Sequence, residues 1–458
     1  MGTRKGKRDT PPGGEVNLLE TTRLLQDHLT EGLCREVFQE QRVGERERTW
    51  SLYALGQFWQ GIVLQSPGSL TQALDEGMRG EGVVWPEVQG TAQAFFLRCK
   101  TLDWRFFHAL FHRFVESITP QAAPSYAGDF HALRERFREV WVIDGSRLDA
   151  VAHRLKILWK TRAVVLPGCV LGLYDLFRGY PRRLQFDPDA ARSESVRAHE
   201  VLEHVPEGTL LLGDRLYASV ALFDEMSRRK IHGLFRFNRT LSIPVFETLL
   251  EERKVSGGTL EDWIVTVGSG ATAPPQRLRY LRFKKGRRVY ELLTNVLDPA
   301  ILPAWTAMRL YPFRWKVERM FYDLKVVLKL KQFYVTSPNG VAMQLFAAAM
   351  VYVALRVAQG KVAAQIDVAP DDISPARLFP RVAKACGFLA GVQIGYLLAC
   401  RDHPNAQMRF PDVSGRPEFR AFRHEILVQP RSPHRRKRRF CKARKTWISF
   451  RHVPGGLG

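Results

Sequence analysis

A chain of 458 residues, 45% apolar and 25% charged, is long enough for two to four domains with a sizeable core, and this composition is that of a soluble globular protein. The formal net charge of +23 is the outlier and points to a polyanionic partner; residues 431–458 hold ten Lys or Arg and no acid, but removing them still leaves +13, so the excess is spread over the body. Six cysteines at 34, 99, 169, 386, 400 and 441 form no C-x-x-C pair, which favours reduced thiols and a cytoplasmic setting, and the longest uncharged apolar run, Leu345 to Leu355, is too short to span a bilayer.

Residues 1–15 are basic and rich in Gly and Pro with no apolar core, so they read as a disordered arm. From 16 to about 135 leucines and aromatics recur at three- and four-residue spacings, the pattern of a helical domain. Thr49 to Ser66, a Pro-Gly turn and Ser69 to Met78 have the layout of a helix-turn-helix with Ser69 as N-cap. Two amphipathic helices about a short turn serve equally in domains that touch no nucleic acid, so both readings stand. His108, His112 and Glu116 repeat every four residues, but Phe107, Phe111 and Phe114 around them indicate a packed helix, and no zinc site is assigned.

At Glu139 the pattern changes. Val140-Trp-Val-Ile-Asp144 reads as a short buried strand ending on an acid, and Leu166 to Tyr174 and Arg183 to Phe186 as two more, with Asp175 a turn residue between them. A helix over Ser195 to His204, a second acid-tipped strand Leu210-Leu-Leu-Gly-Asp214, a helix over Ala218 to Lys230 and a strand at Leu234 to Phe237 follow. Alternation of this kind predicts an α/β core whose site lies at strand ends. Residues 239–305 shift to β, with strands at Trp263 to Val267, Arg277 to Lys284 and Arg287 to Val296. Arg277, Arg279, Arg282, Lys284, Lys285, Arg287 and Arg288 put seven cations into twelve residues of a hairpin, either a phosphate-tracking surface or a charged, edge-protected one.

Tyr311 to Lys325 then predicts one helix opened by Pro312, with Tyr311, Arg314, Glu318 and Lys325 on one face and Val317, Phe321, Leu324 and Leu328 on an apolar stripe beside it. Helices follow from Gly340 to about Cys400, giving a C-terminal helical region over 361–430 with one possible strand at Ile426 to Val428, and the basic tail is 431–458. Asp144, Asp214 and Glu318 are the acids at privileged places. Carboxylates held rigidly by strand tips are what hard divalent cations need, and two such ions can activate an attacking oxygen and stabilise a leaving one at a phosphodiester.

The helix matches Y-x(2)-R-x(3)-E-x(6)-K without a gap, Val142-Ile-Asp144 and Leu212-Gly-Asp214-Arg215-Leu-Tyr217 match two catalytic strands, and Glu291 to Asp298 matches the strand before the signature. In these features the chain resembles DDE transposases of bacterial insertion sequences, in the subgroup built around the insertion-sequence-four family. The resemblance covers about residues 136 to 360. It implies a ribonuclease-H-like α/β core over 136–238 and 306–360 with a β-rich insertion over 239–305, flanked by an N-terminal helical DNA-binding domain (16–135) and a C-terminal helical region.

The resemblance further implies cut-and-paste transposition. Asp144, Asp214 and Glu318 bind two magnesium ions, for which manganese can substitute. Tyr311, Arg314 and Lys325 hold phosphates of the terminal strand, with an ion pair between Arg314 and Glu318 as the alternative for Arg314. A tryptophan of the insertion, Trp263 rather than Trp305, stacks an unpaired base during hairpin formation. Partners are double-stranded DNA, as terminal inverted repeats and as target, and a second copy in a homodimer on paired ends, with no membrane. A catalytically silent, transposase-derived DNA binder and a nuclease without strand transfer are the rival readings.

Overall fold

The computed structural model describes residues 16–78, 90–148, 168–241, 245–268, 273–330, 333–365, 367–384 and 420–421. In chain order the elements are β1 (Val16–Asn17), α1 (Leu18–His28), α2 (Glu31–Gln41), α3 (Leu52–Gln65), α4 (Leu70–Met78), α5 (Ala92–Thr101), α6 (Arg105–Ile118), β2 (Glu139–Arg147), β3 (Cys169–Asp175), β4 (Tyr180–Asp187), α7 (Glu194–Val201), β5 (Thr209–Gly213), α8 (Val220–Arg228) and β6 (His232–Arg236). After these come β7 (Val245–Val255), β8 (Gly258–Val267), β9 (Gln276–Lys285), β10 (Arg288–Thr294), α9 (Ala304–Leu310), α10 (Trp315–Tyr322) and α11 (Pro338–Gln365). The chain forms two compact units, one of Met1–Arg134, Glu139–Pro206 and Lys316–Ile426, the other of Glu135–Arg138, Glu207–Trp315 and Leu427–Gly458.

In the first unit α11 is the centre. Its run of Ala, Leu, Val and Met is apolar on every side, and such a helix is stable only when surrounded. Helices α1, α3, α5 and α6 pack around it. Among the described residues it is the one helix long and apolar enough to cross a bilayer, and its apolar window is wholly covered by protein. The surrounding helices start where the sequence supplies caps: the side chains of Thr30, Ser51, Ser69 and Thr91 accept from the amides of Leu33, Ala54, Gln72 and Ala94. Each cap contributes about 1 kcal/mol.

Arg356, on α11, is a buried charged side chain within this packing. Its guanidinium donates to Gly179 O at 2.6 Å and Gln359 Oε1 at 2.8 Å, lies 3.5 Å from Asp371 and stacks 4.1 Å from the ring of Tyr126.

The same unit carries an antiparallel sheet in the order β4-β3-β2. Every residue of β3 is buried, as its unbroken apolar run requires. The β3–β4 turn is held by Asp175, whose Oδ1 accepts from the amides of Phe177 and Arg178 at 2.8 and 2.9 Å, the turn role its position suggests.

The second unit holds a mixed sheet in the order β5-β6-β10-β9-β8-β7, with β5 and β6 parallel and the other pairs antiparallel. Strand β7 is an addition to the sequence reading. Its residues are mostly exposed, and two bulges, between Phe246 and Thr248 and between Leu249 and Glu251, break the alternation that marks a strand.

Two expectations look different in the structure. The N-terminal helices do not end as a separate body at residue 135, because they share a core with β2–β4 and α11. Helices α3 and α4 adopt the expected helix-turn-helix layout, yet α4 carries Asp75 and Glu76 and no Lys or Arg, which is the wrong charge for a helix entering a DNA groove. The arm 1–15, the strand at Ile426 to Val428, the helix beyond residue 384 and the tail 431–458 lie outside the described residues.

Candidate active site

In the first unit the site begins at β2. Val140 to Ile143 are buried, and Asp144 is the first half-exposed residue after them, its Oδ1 accepting from Gly145 N at 3.1 Å. Directly across the ladder from Asp144 is Gly172 on β3. Residues opposite one another share a face of the sheet. A side chain at Gly172 would meet Met320 Cε at 3.3 Å and Phe321 Cζ at 3.4 Å. The helix that carries Glu318 therefore lies on the face of the sheet that carries Asp144, and the absent Cβ lets it come close.

That helix is not one regular α-helix. It opens as a 3-10 turn over Tyr311–Arg314, is α-helical over Trp315–Tyr322 and widens to a π-turn over Asp323–Val327. The apolar stripe is as expected, with Val317, Phe321, Leu324 and Leu328 all buried. The polar face is altered, because tight and wide turns shift the azimuths of Tyr311 and Lys325 from those of a straight helix. Glu318 remains half-exposed. Lys325 reaches back to β2, donating to Ser146 Oγ at 2.7 Å and Arg147 O at 2.6 Å.

Glu194, at the start of α7, also approaches β2. Its carboxyl carbon lies 2.5 Å from where a Cβ on Gly145 would stand. Neighbours on a strand point to opposite faces. Glu194 thus sits on the far face from Asp144.

In the second unit Asp214 follows the five buried residues of β5 and turns the chain, its Oδ1 accepting from Leu216 N at 2.6 Å. The phenol of Tyr311 donates to the carbonyl of Gly213, the preceding residue, at 3.1 Å. Burial pushes the Tyr311 phenol up to about 12, the charge of Asp214 adds to that, and Arg314 opposes it. Its single proton thus goes to a backbone carbonyl rather than to solvent. Arg314 is 7% exposed, and its guanidinium lies 4.6 Å from the centre of the Trp315 ring.

Carboxylate oxygens at half-exposed strand and helix positions suit a hard divalent cation. Among the described residues no three His, Cys, Asp or Glu side chains are close enough together to hold one ion at once.

The residues of the basic hairpin differ in burial. Arg279 is fully buried: it pairs with Asp262 and donates to Val296 O at 3.1 Å and Leu302 O at 2.9 Å. It is a core residue of the sheet, which corrects its assignment as a DNA contact. Arg277 pairs with Glu247 at 2.8 Å, Arg282 with Glu261 at 3.3 Å, and Lys285 donates to Ser256 O at 2.6 Å. Lys284, Arg287 and Arg288 are exposed. Trp263 is half-buried and meets Phe246 edge to face at 5.4 Å, while Trp305 packs on Phe283 at 5.3 Å. Between the two, Trp263 has the more accessible neighbour, since Phe246 is 51% exposed.

Residues 166–354 match the family described as the transposase DDE domain. That span contains Asp214, Trp263, the basic hairpin and the whole Tyr311–Lys325 segment, and it begins after Asp144. Two curated relatives are similar over shorter stretches. “Putative transposase y4zB” of Sinorhizobium fredii is 33% identical over 100 residues, 22% of this chain and 28% of that protein. “Probable transposase for insertion sequence element IS5377” of Geobacillus stearothermophilus is 26% identical over 171 residues, 37% of this chain and 45% of that one. The matches thus span less than half the length of either relative. Among solved structures, a piggyBac transposase synaptic complex with hairpin DNA aligns over 87% of this chain and 85% of that one at 10% identity, with a TM-score of 0.37. The similarity is thus to a transposase DDE domain over part of the chain and, over shorter stretches, to two proteins named as transposases.

Proposed function

We propose that this protein is a DNA transposase that cuts at the ends of a mobile element and joins them to target DNA, in the cut-and-paste manner of the insertion-sequence-four subgroup and through hairpin ends. The observation that carries the reading is the packing of the matched signature segment: Glu318 rides on a helix laid on the Asp144 face of β2–β3, within a chain whose residues 166–354 match the transposase DDE domain. The proposed core is ribonuclease-H-like, with β7–β10 as its insertion. DNA is the polyanion that the net charge of +23 anticipates, and the action is placed in the cytoplasm, on nucleoid DNA.

Asp144, Asp214 and Glu318 are the proposed ligands of two magnesium ions, with manganese as substitute. Bound there, such ions would activate the attacking water or 3′-hydroxyl and stabilise the leaving oxygen. The chain's own part is positioning. Lys284, Arg287 and Arg288 follow backbone phosphates of the end DNA, Arg314 holds the terminal strand from its stacked position on Trp315, and Trp263 offers a face to an unpaired base. Residues 16–135 contribute further DNA contacts, and two copies act on paired ends.

Purified protein incubated with magnesium and DNA carrying the flanking inverted repeats tests the reading. Cutting followed by joining supports it. Cutting alone would make the protein a nuclease, and binding without cutting a silent relative.

A further inference from the structure

The cation and the phenol of the signature segment are both in use within the protein. Lys325 Nζ has three N–H bonds, and two of them go to β2: to Ser146 Oγ at 2.7 Å and to Arg147 O at 2.6 Å. These acceptors belong to the second and third residues after Asp144, and Ser146 shares its face of the strand. In a straight α-helix Lys325 would stand about two turns below Glu318 and nearly in line with it. The π-turn, closed by Leu328 N on Asp323 O at 3.0 Å, takes it off that line and onto the strand. In the second unit Tyr311 makes the corresponding contact, its hydroxyl donating to Gly213 O, one residue before Asp214.

We propose that Lys325 and Tyr311 are positioning residues, each fixing the backbone beside one acid: Lys325 the end of β2 for Asp144, and Tyr311 the end of β5 for Asp214. The signature segment then does more than deliver Glu318, because it also sets the two strand tips from which the other carboxylates project. A carboxylate that ligates a hard cation has to be aimed, and groups one shell out from such ligands commonly change metal affinity or activity by about 10- to 100-fold. This role rests on the transposase reading for its purpose, whereas the contacts themselves do not.

The test uses full-length protein and the variants Ser146→Ala, Lys325→Met, their double and Tyr311→Phe. Ser146→Ala leaves every charge in place, so it separates the strut from any phosphate contact of the ammonium. Amide hydrogen exchange is measured first, without DNA or metal. Faster exchange is expected at residues 145–147 in Ser146→Ala and Lys325→Met and at 213–216 in Tyr311→Phe. The manganese concentration for half-maximal cutting of end DNA is measured second, and should rise about tenfold in each single variant while DNA affinity holds. The double should be no worse than Lys325→Met, as for two ends of one interaction. Unchanged exchange, with wild-type metal dependence in Ser146→Ala and weakened DNA binding in Lys325→Met, would overturn the proposal and leave Lys325 a phosphate contact. If the wild-type protein cuts nothing, the exchange measurement still decides the struts, so failure of the transposase reading is told apart from failure of this one.

Discussion

Asp144 and Gly172 face each other across the β2–β3 ladder, and the space where Gly172 lacks a side chain is where Met320 and Phe321 come down from the signature helix. Replacing Gly172 by Val inserts branched carbons at a place where even a Cβ is already in tight contact. Overpacking of this kind costs about 1–3 kcal/mol, and here the movable partner is the helix that bears Glu318. Gly172→Val should lower the melting temperature by a few degrees and strongly reduce DNA cutting while DNA binding persists. Gly172→Ala should be milder in both respects, since the neighbours need to give by only a few tenths of an ångström.

Arg279 and Lys284 lie on one strand with opposite expected effects. Arg279→Gln leaves Asp262 charged in the sheet interior and takes a donor from the carbonyls of Val296 and Leu302. Breaking a buried pair from one side typically costs about 3–5 kcal/mol, so urea unfolding should shift markedly. Lys284→Gln with Arg287→Gln should leave unfolding unchanged but weaken DNA binding and flatten its salt dependence by about 0.9 log units per lost phosphate contact.

Arg356 predicts a stability effect of similar size. Its guanidinium serves Gly179, Gln359, Asp371 and the Tyr126 ring together. Arg356→Ala leaves the buried Gly179 carbonyl and Gln359 amide oxygen without this donor and should destabilise by about 1–3 kcal/mol for each in urea. The first unit, which holds Asp144 and Glu318, should be the part that loosens.

The paired rings of His108 and His112, 4.2 Å apart, give a pH dependence. Burial holds His108 down to about 4, with His204 and Arg183 adding to it, and holds His112 well below its usual value, with His108 and Arg183 adding to it. Both stay neutral in the fold while the unfolded chain binds protons near 6.5. Between about pH 6.5 and 4 the unfolded state therefore carries more protons, so stability present at neutral pH is lost as the pH falls through that window. Melting temperatures recorded from pH 7.5 to 4.5 should decline for the wild type and decline less for His108→Phe.

Much of this arrangement could be read from residue order because local signals agreed with one another. Strands β2 and β5 each end a buried run on an acid, and the stripe of Val317, Phe321, Leu324 and Leu328 packs as its spacing predicts. The Ser69 cap and the Asp175 turn likewise depend on side chains beside the backbone they serve. What sequence reasoning missed depends on tertiary context. Nothing local tells Arg279 from its basic neighbours, because only its pairing with Asp262 and three surrounding carbonyls makes it internal. Strand β7 was hidden by bulges and by the polarity of an edge. The contacts of Tyr311 and Lys325 within the protein have no local signal, since their acceptors are 98 and 179 residues away in the chain. Gly172 could have been suspected, as a glycine inside a buried strand often marks a close approach.

In the proposed function Asp144, Asp214 and Glu318 act together on DNA. It is tested most directly by measuring, on one DNA carrying the flanking inverted repeats, both cleavage in magnesium and binding affinity for the wild type and for Asp144→Ala, Asp214→Ala and Glu318→Ala. Each substitution should remove cleavage and leave affinity close to that of the wild type. Cleavage retained by any one of the three would contradict it.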